Sequence, residues 1–374
     1  MVFNNRYKKK AYHELHKYNE PYVRYFFLVR FGSFWFVLKI LVLIIFFSCS
    51  QIEPSHTEFA LGTVCSVNLF EQGSKTLYDE IFNRICEIEN LMSANIRSSD
   101  ISRINAAAGI QPVNVSEETF FVIKSAVYIA MLSNGAFDPT IGPVVSLWGI
   151  GSAGEHIPYN YEIENLLSLV NWRNIELNES ANSVFLTKHG MELDLGAIAK
   201  GYAADAASDI VKKAGIKRAL IDLGGNIIIA GEKKDKSPWR VGLQNPYKTR
   251  GETIGYLQIT MPQDSQSLTV KTVVTSGVYE RFFEAEGNRY HHIFSPSLGF
   301  PVQNGLVSVT VTADVSMDAD ALSTAAFVLG YEKGSALIES LAGIEAVFVF
   351  EDRSVRLTSG ADFILTDNTF SLKQ

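Results

Sequence analysis

The apolar positions of this chain keep two rhythms, and their order outlines a fold. Leu77, Ile81, Ile85, Ile88 and Met92 recur at helical spacing in SKTLYDEIFNRICEIENLMS, which predicts an amphipathic helix ending before ANIRSSDISRIN. EETFFVIKSAVYIAMLSNG predicts another, stopped by Gly135. A short helix follows the polar, aromatic loop Gly149–Tyr161, one runs from Ala197 to Lys213, and two more lie in DADALSTAAFVLG and EKGSALIESLAG. The strand-like segments lie between. Phe59–Phe70 alternates as one strand, SVFLTKHGMELDLG predicts a hairpin turning at His189-Gly190, and RALIDLGGNIIIAGE predicts two strands hinged at Gly224-Gly225. WRVGLQNP, GYLQITM, SLTVKTVVTSGVYERFFEAEGNRYHHIFSP and LVSVTVTA read as further strands and hairpins, and IEAVFVFEDRSVRLTS as a closing hairpin. Helices and mostly antiparallel strands mixed without a βαβαβ rhythm give the class α+β, with mixed sheets and packed helices. That order and the lack of a GxxxxGK[ST] loop argue against a doubly wound nucleotide fold or a P-loop.

Composition changes this picture mainly at the N-terminus. With 47% hydrophobic and 20% charged residues, the chain can build an ordinary core. Residues 1–48, however, carry eight Lys/Arg against Glu14 and Glu20, and they end in the apolar run FWFVLKILVLIIFFSCS. A basic region, an apolar run and a small residue make a secretory signal. The FFSC segment resembles a loose bacterial lipobox, which implies cleavage before Cys49 and lipid attachment there. The alternative is an uncleaved membrane anchor. Residues 1–48 are therefore expected to be a lipoprotein signal peptide, 49–58 a lipidated tether and 59–374 the functional domain, on the periplasmic face of the inner membrane. The whole chain has a net charge of −7, and removing the +6 leader leaves −13, so nucleic-acid binding is not expected. Cys65 and Cys86 show no CxxC or metal spacing and read as buried structural cysteines.

Four groups of residues carry candidate chemistry. In LDLGAIAKGYAADAA, Asp194 and Lys200 straddle a strand-to-helix junction. Lys200 sits where a helix dipole favours an anion, and the free amides there form an anion site, so a phosphate shared by both is one reading; a capping aspartate and a solvated lysine is the other. Asp320 and Thr324, at i and i+4 on one helical face, offer two hard oxygens suited to Mg²⁺ or Ca²⁺. Of His291 and His292 only one can face inward, and it is a candidate general base. Asp138, pinned by Pro139 beside Phe137, is placed to hydrogen-bond a flat heterocycle; a plain turn is the alternative.

Eight blocks together resemble the ApbE-like flavin transferases: ALGTVCSV, LMSANIRSSDISRIN, GAFDPTIGPVVSLWG, LDLGAIAKGYAADAA, ALIDLGGNI, VVTSGVYERFF, HHIFSPSLGFPV and DADALSTAAFVLG, in family order over about residues 59–330. The resemblance implies an ApbE-like, T-fold-like architecture that binds FAD with Mg²⁺ and transfers FMN to a Thr or Ser hydroxyl of a partner protein, releasing AMP. It implies that Leu61, Asn95, Ala136, Phe137, Asp138, Asp194, Lys200 and Ser276 lie at the FAD site, and that the Ala197 carbonyl, Asp320 and Thr324 hold the metal. His292 would be the general base, and the acceptors would be membrane redox-pump subunits. Asn95 stands where the family usually has a tyrosine. Losing that stacking surface, worth roughly 1–3 kcal/mol on base-stacking magnitudes, is expected to loosen FAD and to favour its hydrolysis to FMN and AMP. A non-catalytic flavin-storage lipoprotein is the competing reading, and the metal pair and His292 argue against it.

Overall fold

A computed structural model of the chain describes residues 55–70, 73–262 and 268–373. Cys49, the leader 1–48 and most of the expected tether lie outside them. Residues 55–58 do not belong to a tether, because Ser55–Ala60 is strand β1, paired with β2, Thr63–Asn68. The single strand expected over Phe59–Phe70 is thus a hairpin. Leu61 and Gly62 turn it with φ of 54° and 68°, and a turn with both central residues left-handed matches the twist of the flanking strands.

The class is α+β, with mostly antiparallel sheets. Nine strands form the main sheet. From one edge they run β1, β2, β6 (Ala219–Leu223), β7 (Asn226–Ala230), β10 (Val270–Gly277), β13 (Leu306–Ala313), β14 (Glu345–Phe350), β15 (Ser354–Leu357) and β17 (Ser371–Leu372). Every pairing is antiparallel except β15 with β17. Side-chain alternation splits the sheet's two faces. On β14, Ala346 and Phe348 enter the larger core with helices α1 (Lys75–Met92), α3 (Glu117–Leu132), α6 (Ala199–Lys213) and α7 (Ser316–Glu339). Val347 and Val349 enter a second core against the three-stranded sheet of β16 (Phe363–Leu365), β9 (Thr253–Ile259) and β8 (Trp239–Gln244). Cys65 is buried, Cys86 half-buried, and both are free.

Several expected elements change under tertiary constraint. Two short helices, α2 (Asp100–Ala106) and α4 (Gly142–Trp148), fall in segments too short to show a period. The hairpin at His189-Gly190 does not form. β5 (Ser183–Leu186) pairs instead with β4 (Ile175–Asn178) and β3 (Val113–Asn114), which frees Met191–Ala197 to run irregularly. Gly149–Gly154 carries the spacing GxGxxG, but it follows α4 and opens a loop with no strand before it, so it is not a dinucleotide turn. α7 breaks at Gly330 (φ 75°, ψ 176°), where the sequence divides its two helices.

Candidate active site

Helix α6 starts without a side-chain cap of its own, which leaves its first amides in need of partners. One comes from another helix. Gly201 N–H, which in a regular helix donates to the carbonyl of Ala197, donates instead to Oδ2 of Asp320 on α7 at 3.0 Å. The exchange runs both ways. Asp205 of α6 accepts from the first amides of α7, Ser316 and Met317, at 2.8 Å each. Only glycine allows this crossing, because a Cβ on Gly201 would sit 2.3 Å from the Ser316 carbonyl oxygen. Burial, with Asp318 and Asp209 nearby, raises the Asp205 carboxyl to about 6.

The cation in the first turn is thereby accounted for. Lys200 Nζ donates to the Gly196 carbonyl at 3.0 Å and stands 3.5 Å from Asp320 Oδ1. The anion that Lys200 meets at the start of this helix is the carboxylate of Asp320. Lys200 is therefore paired internally instead of free in solvent, and it remains at the junction where a phosphate is expected.

A cavity of about 470 Å³ opens beside this junction. Ala136, Phe137 and Asp138 line it from the turn after α3; Asp194, Ala197 and Lys200 from the junction; Ser276, His292, Asp320 and Thr324 from β10, the end of β12 (Asn288–His291) and α7. Two expected residues stand apart. Leu61 turns the β1–β2 hairpin and packs on the core beside the lining residues Phe59, Gly62 and Thr63. Asn95 lies exposed in the turn after α1, outside the lining.

The polar residues of the cavity are held by specific bonds. Asp138 accepts from Thr140 N–H and Oγ1–H at 2.9 and 2.6 Å and from Trp172 N–H at 3.0 Å; burial nevertheless raises its carboxyl above the ordinary range. Asp194 N–H donates to the Pro139 carbonyl at 2.9 Å, and its Oδ1 accepts from Gly196 N–H at 2.7 Å. Asn105 of α2 clamps the preceding residue, accepting from Leu193 N–H at 2.7 Å and donating to its carbonyl at 3.0 Å. Ser276 joins Ser323 and Thr324 in a hydroxyl cluster, at 2.7 and 3.1 Å.

The two histidines divide as strand alternation requires. His291 is buried, and its Nε2–H donates to the Val302 carbonyl at 2.9 Å while Nδ1 accepts from Ile293 N–H. It is a structural residue. His292 faces the cavity, with Nδ1 3.0 Å from the Arg281 carbonyl. A carbonyl only accepts, so Nδ1 carries the proton and Nε2 keeps its lone pair. Burial, together with Arg281, His291 and Lys200, lowers this imidazole to about 4. It is neutral at pH 7, as a general base must be.

The oxygens expected to hold a metal fit a hard cation in kind. With Gly201 N–H diverted to Asp320, the Ala197 carbonyl receives no bond from that amide, and Ala197, Asp320 and Thr324 all line the cavity. Among the described residues no three His, Cys, Asp or Glu side chains cluster, so the set is poor in carboxylates; Mg²⁺ tolerates this when phosphate and water complete its shell. Arg250, Glu280, Arg281 and Asn105 were not singled out from the sequence. The arginines and Glu280 show no motif, and Asn105 acts through a bond 88 residues away.

The chain resembles known proteins in both sequence and fold. The model of the ApbE family matches residues 61–348. An FAD:protein FMN transferase of Klebsiella pneumoniae (strain 342) is 40% identical over 305 residues, covering 82% of this chain and 92% of the relative. One of Treponema pallidum (strain Nichols) is 37% identical, covering 82% and 87%. Among solved structures, the ApbE protein of Thermotoga maritima superposes with a TM-score of 0.70 at 32% identity, covering 84% of this chain and 97% of its own. The flavin transferase ApbE of Vibrio cholerae does so with 0.68 at 28% identity, covering 84% and 97%.

Proposed function

The chain belongs to the ApbE family, and from that premise we propose that it is an FAD:protein FMN transferase acting through the cavity around His292. The observation that carries this reading is the tautomer of His292, whose unprotonated Nε2 is left to receive a proton inside a cavity that also holds Lys200 and Asp320. An acceptor Thr or Ser hydroxyl gives its proton to Nε2 while its oxygen forms a bond to the FMN phosphorus. The bond from that phosphorus to the bridging oxygen breaks, and AMP leaves with that oxygen. Lys200 and the α6 terminus keep positive potential at the pyrophosphate. The turn Ala136–Asp138 and Asp194 orient the nucleotide. Asp320, Thr324 and the Ala197 carbonyl would hold Mg²⁺, with Ca²⁺ the alternative; when bound, that ion supplies charge neutralisation for the leaving phosphate.

We further propose that water can take the acceptor's place, so that the protein is also an FAD pyrophosphatase. Asn95, polar and exposed, offers no stacking surface to retain the nucleotide. The basic, apolar leader and Cys49 support a lipid-anchored position at the periplasmic face, where acceptors such as membrane redox-pump subunits would be met. The test is AMP release from FAD with Mg²⁺, with and without an acceptor protein. AMP in both arms, and flavin covalently attached to the acceptor in one, is expected. No AMP in either arm, with intact FAD retained stoichiometrically, would leave the storage reading. Asn95→Tyr is expected to hold FAD more tightly and release AMP more slowly; unchanged retention sinks the hydrolysis proposal.

A further inference from the structure

We propose that Arg281 is an oxyanion ligand of the reaction, its guanidinium holding a phosphate oxygen of the nucleotide beside His292. Three observations converge on it. Arg281 lines the same cavity as His292, Lys200 and Asp320. Its backbone carbonyl accepts from both the N–H and the Nδ1–H of His292, at 3.2 and 3.0 Å, so the side chain departs from the residue that orients the base. Its guanidinium rests against the β1–β2 turn, where a Cβ on Gly62 would come within 3.3 Å of Nη2.

The charge balance then points to a ligand. Of the other cations lining the cavity, Arg250 and Lys200, Lys200 is occupied by Asp320 and the Gly196 carbonyl. Among the described residues no carboxylate forms an ion pair with Arg281, although its neighbour Glu280 also lines the cavity. An arginine fork with open donors matches a phosphate or carboxylate. Its charge also acts on the base. Arg281 is one of the groups that lower the His292 imidazole, with burial the larger cause and Lys200 and His291 adding to it. An oxyanion bound to Arg281 offsets that charge, so His292 becomes more basic when the group to be transferred is in place. An empty site would hold a weak base, and a filled site a stronger one.

This inference rests on the FAD reading, and the experiment separates the two. FAD binding to the full-length protein is followed by flavin fluorescence for the wild type, Arg281→Lys and Arg281→Met, with riboflavin, which lacks phosphate, as the control. The acid limb of kcat/KM for AMP release is measured in parallel. Arg281 is exposed, and the thermal midpoint of each variant checks that it folds. Arg281→Met is expected to weaken FAD binding tenfold or more, Arg281→Lys less, and riboflavin binding not at all. In Arg281→Met the acid limb of free-enzyme kcat/KM is expected to move to higher pH, which a merely structural residue would not cause. Equal FAD affinity and one shared pH profile overturn the proposal. So does unchanged FAD affinity with a raised KM for the acceptor, which would assign the anion to an acceptor carboxylate. A wild type that binds no FAD would instead overturn the FAD reading itself.

Discussion

Lys200 shows how a residue can look misplaced until its partner is known. A lysine at the start of a helix opposes the helix dipole, and nothing local relieves it. Asp320, 120 residues later in the chain, does so by meeting both the Lys200 ammonium and the Gly201 amide. His292 carries the sharpest residue-scale prediction. Its imidazole is lowered from 6.5 to about 4, so the base is still neutral in mild acid. In kcat/KM for AMP release, the acid limb attributable to this group is expected near pH 4, with no loss between pH 7 and 6; a limb centred at 6.5 would refute it. The same shift bears on stability. As pH falls from 6.5 to 4 the unfolded chain takes up a proton that the folded chain refuses, so this group's contribution to stability is lost over that window. Replacing His292 with Gln, which cannot accept the proton, is expected to lower turnover by about 10²–10⁴-fold without comparable loss of FAD binding.

At the scale of elements, α6 and α7 behave as one unit because each supplies the other's cap. The contact has no spare room at Gly201, so Gly201→Ala is expected to destabilise the fold by about 1–3 kcal/mol or more, read as a lower denaturation midpoint. Asp205→Asn keeps one acceptor oxygen where two amides now bond, and is expected to cost about 0.5–2 kcal/mol at pH 7, the range for lost helix caps. The pH dependence of the Asp205 group has the opposite sign to that of His292. With its carboxyl raised from 3.8 to about 6, the folded chain holds a proton that the unfolded chain has already released, so its contribution falls as pH rises through that window. Urea midpoints of the wild type and Asp205→Asn are therefore expected to converge as pH rises from 4 to 7, and a gap that widens over that range would refute the raised carboxyl. Disturbing either helix start also moves Asp320, so both variants should lose activity beyond their loss of stability.

For the molecule as a whole, the cavity is where distant segments close on one another. Its walls come from the turn after α3, the irregular run into α6, β10, the end of β12 and α7. A ligand that touches all of them binds only the folded chain. FAD at about 100 times its Kd is therefore expected to add about 2.7 kcal/mol to stability. Thermal melts with FAD, with and without a chelator, test this; a melting midpoint indifferent to FAD would count against the assignment of the cavity. If Asp320, Thr324 and the Ala197 carbonyl hold a divalent ion, the chelator should remove part of the gain.

Much of the fold was legible in the chain because it depends on short-range order. The helical period of Leu77–Met92, the Gly224-Gly225 hinge, the break of α7 at Gly330 and the opposite faces of His291 and His292 all follow from backbone geometry within a few residues. Asp138, Asp194, His292, Asp320 and Thr324, singled out in the chain for their chemistry, all line one cavity. Tertiary structure decided the rest. It turned Phe59–Phe70 into a hairpin, dissolved the expected hairpin at His189 by offering β5 other partners, and left Asn95 outside the cavity lining. It also gave Lys200 a carboxylate partner from α7 and brought Arg281 and Asn105 to the site. Strand pairing, helix crossing and charge pairing all join residues far apart in sequence. Local pattern specifies which groups are available to meet, while the packed core determines which of them do.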